Sequence, residues 1–184
     1  MLVQATIQIL REQSALFDRA VTFRGRPRER LVALSEAEEI FFRLHRYHYR
    51  ALQVIRTAAE LAKAGAEGRV VLRRCETHLT GLLTGVILDA VREGDLTLVT
   101  PRRAEEVAFT LWALAFGTRA LMDTMVATAL LGISDGFRTA RDAAELLLDA
   151  LGWQPLASQW DYEQTRQRIR AEVFPDEWRR ASAA

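Results

Sequence analysis

The side chains best suited to chemistry are few: His45, His48 and His78, a lone Cys75, and the carboxylates around them. Metal ligation needs imidazoles or thiolates with a further donor at fixed spacing, and His45 and His48 have no such carboxylate beside them. Glu76-Thr77-His78 does not have the Glu-x-x-His spacing of a carboxylate-bridged di-iron bundle. Cys75 and His78 share a stripe with Val71, Leu82 and Val86, and an apolar setting disfavours the thiolate that a Cys–His pair would need. One cysteine also excludes an internal disulfide framework. The chain contains no Gly-x-Ser-x-Gly elbow, phosphate loop or dinucleotide fingerprint. These residues predict a protein that is not an enzyme and carries neither metal nor cofactor.

Binding is the chemistry that remains. Phe41, His45, Tyr49 and Leu52 recur at helical spacing, with His48 alongside, and His78 lies amid Cys75, Leu82 and Gly85. With Trp112 and Phe116 as aromatic wall, they make a candidate pocket for a small apolar or aromatic ligand with a few polar hooks. The ligand-contact set is therefore Phe41, His45, Tyr49, His78, Leu82, Trp112 and Phe116; the competing reading is a plain core whose histidines bond to backbone carbonyls. Gly81 and Gly85 each weaken a helix by roughly 1 kcal/mol relative to alanine, and leave room for a ligand or for a close helix. A second motif, Arg24-Gly25-Arg26-Pro27-Arg28, matches the core of an AT-hook, which enters a narrow minor groove. Glycine and proline between helices have an ordinary turn role as well. With a net charge of only +1 and no recognition helix in sight, the chain alone is predicted not to read DNA sequence.

The elements that position these residues are helical throughout. The 184 residues are 49% hydrophobic and 27% charged, the balance of one globular domain. Lys63 is the only lysine among 25 basic residues, a skew that decides nothing about function. No basic leader with a cleavage site opens the chain, and Val107–Phe116 is far short of the roughly 20 residues of a membrane span. A cytoplasmic protein without membrane contact is expected. Apolar spacing predicts helices over about 3–21, 28–62, 69–92, 101–131, 135–151 and 161–173. Ser35 and Glu38 form a capping-box pattern that can interrupt the second. Gly94–Asp95 closes the third, Thr100–Pro101 opens the fourth, Ser134–Asp135 caps the fifth, and Pro175 breaks the sixth. The helix at 101–131 carries two apolar stripes, Val107, Leu111, Leu114, Leu121 and Met125 on one and Trp112, Ala115, Met122 and Val126 on the other. Both sides must then be covered, by a partner subunit or by the rest of a monomeric core. The helix at 135–151 adds Phe137, Ala140, Ala144, Leu147 and Leu151.

Three stretches together carry a family resemblance. They are Ala90–Leu96 closing a long helix; Thr100-Pro101 followed by Glu105, Val107, Ala108 and Leu111–Gly117; and Leu146–Leu156, which contains Gly152-Trp153-Gln154-Pro155. In order and spacing, residues 66–156 resemble the C-terminal ligand-binding and dimerisation domain of TetR-family transcription regulators, here without the N-terminal helix-turn-helix. The resemblance implies an all-α bundle of about six to seven helices forming one domain over 1–184, with about 157–184 a C-terminal extension. It implies a homodimer joined by a four-helix bundle, with Leu111, Met122, Met125, Phe137, Ala140, Ala144, Leu147 and Leu151 at the interface. It also implies one small-molecule pocket per subunit, whose ligand shifts a two-state equilibrium. The rival expectation is a helical interaction or assembly protein that pairs with another regulator; a small helical enzyme is a more distant third.

Overall fold

A computed structural model describes residues 2–47, 65–99, 101–124 and 130–183. The fold is all-α, with seven helices and no strand among the described residues. They are α1 (Leu2–Ala20), α2 (Pro27–Leu44), α3 (Gly65–Glu93), α4 (Ala104–Thr124), α5 (Gly136–Ala150), α6 (Tyr162–Glu172) and α7 (Pro175–Ser182). The chain divides into two compact units, one of residues 1–83 and 163–184, the other of residues 84–162. None of the described helices is long and apolar enough to cross a membrane.

In the first unit α1 packs against α2. Ile9, Gln13, Leu16 and Ala20 recur every three or four residues on α1 and are buried along with Leu10, as are Ala33, Leu34, Ala37, Ile40 and Phe41 on α2. The start of α2 is a local construction. Pro27 occupies the first turn, where its missing N–H costs nothing, and Glu29 folds back so that its carboxylate accepts the Arg26 backbone N–H at 2.9 Å. Gly25 makes space for that fold, since a Cβ there would lie 2.9 Å from Glu29 Oε2. Helix α2 then continues unbroken through Ser35, which stays exposed. Glu38, which could have capped a new helix there, instead accepts from Gln13 Nε2 of α1 at 3.3 Å. Residues 48–62 of the long second helix expected from sequence lie outside the described residues.

Helix α3 ends at Gly94, whose φ of +80° lets the Asp95 and Leu96 N–H groups both reach back to the Ala90 carbonyl. Helix α4 begins at Ala104, three residues later than Pro101 suggests. Glu106 caps it by accepting the Arg103 N–H at 2.8 Å, and the Arg102 N–H donates to the Val99 carbonyl at 3.0 Å. Asp135 caps α5 through the Arg138 N–H at 2.9 Å, as its position before the helix predicts. Gly136 admits the Met122 side chain of α4, which a Cβ would meet at 2.9 Å, and so draws α4 and α5 together. The segment after α5 is fastened polar group by polar group. Gln154 N–H donates to the Asp95 carbonyl at 2.7 Å, Asp149 accepts from Ala157 N–H at 3.0 Å, and the Tyr162 hydroxyl donates to the Pro155 carbonyl at 2.7 Å. Trp153 is fully buried within this turn.

The residues past 157, expected as an extension, form α6 and α7. Pro175 ends the preceding helix and also opens the next, at the first-turn position a proline tolerates. Helix α7 packs against α2.

Candidate functional site

The expected ligand-contact residues are divided between the two units. Phe41 is fully buried on α2, and its ring centre lies 5.1 Å from that of His45, the residue that ends the helix. His45 Nε2 is 3.3 Å from a carboxylate oxygen of Glu12 on α1. His78 faces solvent rather than an apolar wall, with Nε2 2.7 Å from Asp18 Oδ1. Leu82 is half-buried, and Tyr49 lies outside the described residues. Phe41, His45, His78 and Leu82 belong to the first unit, Trp112 and Phe116 to the second. No group of three histidine, cysteine or acidic side chains among the described residues could hold a metal ion.

Helices α4 and α5 carry the expected interface residues. Leu111 and Phe137 are buried, Met122, Ala140, Ala144, Leu147 and Leu151 are half-buried, and Met125 is outside the described residues. Val107 and Leu111 of one α4 stripe are therefore covered within the chain, Leu114 is half-buried, and Leu121 of the same stripe is exposed. The opposite side is not covered. Phe109, Trp112 and Phe116 are 67%, 38% and 39% exposed, and Ala113 and Ala120 complete an exposed face without a charge. Leu121 on α4 and Leu146 on α5 are exposed too. A run of apolar side chains this long is what a helix presents to a protein partner. An open groove of about 1020 Å³ is lined by Phe109 of that face together with Val107, Leu147, Leu151, Arg102, Arg103 and Glu106. None of the described expected ligand-contact residues lines that groove.

One constellation was missed from sequence altogether. Three arginines of the first unit each stack on an aromatic ring and meet a carboxylate. Arg19 lies 5.1 Å over Phe174, ion-pairs with Glu177 and donates to the Val173 carbonyl. Arg168 lies 5.1 Å over Phe23 and 3.8 Å from Glu29, which also accepts from the Thr165 hydroxyl at 3.4 Å. Arg170 lies 3.8 Å over Trp178 and donates twice to Glu36, at 2.6 and 3.3 Å. Glu36 is fully buried and Glu29 nearly so. Guanidinium suits such sites because its plane stacks while its edge forks onto a carboxylate. The Arg19 hydrogen bond holds the Glu177 carboxyl below the usual glutamate range, against a smaller opposing effect of burial. Helix α6 reads from sequence as charged on most faces; the signals that could have revealed the clamp are Phe174 and Trp178 after it and the seven-residue spacing of Glu29 and Glu36.

The Arg-Gly-Arg-Pro motif resolves into this same construction. Arg24 and Arg26 are exposed, but Pro27 and Arg28 are buried in the first turn of α2. An AT-hook core needs an extended, accessible strand, which this helix start does not offer. No family model matches this chain, and neither a curated protein nor a solved structure does.

Proposed function

We propose that this chain is a self-associating regulatory core of TetR-like type, which dimerises through α4 and α5 and responds to a small apolar ligand. The observation that carries the dimer is the charge-free exposed face of Phe109, Trp112, Ala113, Phe116 and Ala120 on a helix that already buries Val107 and Leu111 on its other side. A second copy would bury that face and leave a four-helix contact with the character of a core cut in half. The sensing role rests on the resemblance of residues 66–156 and on the Phe41–His45 ring contact at the end of α2. Catalysis and sequence-specific DNA readout form no part of the proposed role. Sedimentation equilibrium at micromolar concentration is expected to give twice the chain mass. Trp112→Glu should return the monomer mass with the helical circular-dichroism spectrum retained. A wild-type monomer would sink the reading, and specific capture of a different helical regulator through the same face would favour the assembly role instead.

A further inference from the structure

The contacts that fasten α6 and α7 are not equal. The Arg170–Glu36 pair that holds α6 has side chains 16% and 0% exposed, whereas the Arg19–Glu177 pair, which holds α7 together with the Arg170–Trp178 stack and the buried Ala181, has them 44% and 22% exposed. Salt screens the outer pair and barely touches the inner one. Helix α7 is eight residues long, too short to persist as a helix without its docking contacts. Pro175 lacks an N–H, so no continuous ladder joins α7 to α6; Phe174 N–H bonds back to the Ile169 carbonyl, and Trp178 N–H starts afresh on the Phe174 carbonyl. Phe174 itself is fully buried and stays with α6 as an anchor.

What α7 holds is the end of α1. Arg19 bonds to Glu177 and to the Val173 carbonyl, and its chain neighbour Asp18 bonds to His78 of α3. The last turn of α1 is thus a junction at which α7 and α3 are both tied.

We propose that α7 is a releasable flap, which opens as a unit about Phe174–Pro175 while α6 stays fastened to α2, and which in opening takes Glu177 from Arg19 and leaves the last turn of α1 held only by the Val173 carbonyl and the Phe174 ring on the α6 side of the hinge. Hydrogen exchange read by mass spectrometry on the full chain tests this at 0.05 M and 0.5 M sodium chloride, concentrations about a factor of three apart in screening length. Peptides covering 176–182 should exchange about fivefold faster at the higher salt, with those of α6 and α4 unchanged, as expected for loss of one part-exposed contact in a locally opening segment. Glu177→Gln should reproduce that rate at low salt and abolish its salt response. Arg179→Ala, which removes only an exposed pair within α7, should leave it as in wild type. Exchange of α7 in step with α6 under every condition, or indifference of α7 to both salt and Glu177→Gln, would overturn the flap.

Discussion

The two units of this chain treat apolar and charged side chains in opposite ways. Of the thirteen large apolar residues exposed among those described, eleven lie in residues 84–162; the other two, Tyr47 and Val70, belong to the first unit. The first unit in turn buries Gln13, Arg28, Glu29, Glu36, Glu39, Thr165 and Arg166, polar groups that a small core ordinarily leaves outside, whereas the second buries only Asp95 and Arg119 among the described residues. One unit is closed by polar clamps around a modest apolar core, and the other is left open along an apolar face. The contrast teaches where each unit's missing surface comes from. The first is completed by its own distant residues, across a separation of 134 positions between Arg170 and Glu36. In the second, the α4 face of Phe109, Trp112 and Phe116 stays exposed among the described residues, and this is the face the proposed dimer would cover.

The largest effect that would break this comparison lies in the clamp. Glu36→Ala leaves Arg170 without its buried carboxylate and should cost about 3–5 kcal/mol in denaturant unfolding, the range for orphaning one member of a buried pair. Replacing both partners by methionine should recover much of that loss, because the desolvation of the pair disappears along with its attraction. If Glu36→Ala is neutral, the polar account of the first unit fails.

Acid gives a smaller, sharper test on the same unit. Glu177 has a lowered pKa in the folded state, so its contribution is complete above the unfolded value and is lost as pH falls through the lower, folded value. Glu177→Gln should therefore flatten that part of the acid limb of stability, leave the limb near neutral pH unchanged in slope, and cost less than about 1 kcal/mol, as suits a part-exposed pair. An acid limb identical in the two proteins would show that the Arg19 contact contributes nothing.

The smallest expected effect lies on the open unit. Leu146 is 72% exposed, so Leu146→Arg should change the stability of the dissociated chain by less than about 0.5 kcal/mol. Its association should nonetheless weaken, measured by dilution in sedimentation. A large loss of stability in the monomer would mean that this surface is already in use within the chain.

Much of the helical frame was legible in the residues. Gly94 and Gly152 stop helices because a positive φ suits glycine, and Asp135 starts one because its carboxylate reaches a free N–H. Both depend on neighbours in sequence. Ser35 misleads for the complementary reason: its capping pattern is local, but Gln13 of another helix takes up Glu38, and packing carries α2 straight through. Pro175 reads as a stop, although a proline is equally a first-turn residue and only the docking of α7 decides between the two roles.

By itself the sequence determined that this protein is helical, and that α4 has more apolar surface than one side of a helix can hide, since both follow from spacing along a single segment. Which side of α4 stays open, and that Phe41 and His45 meet while His78 turns to Asp18, were decided by tertiary structure. So was the fate of the charges on α6. A charged residue is solvated or clamped according to what stands opposite it, and the carboxylates and rings opposite Arg168 and Arg170 come from parts of the chain that only folding brings near.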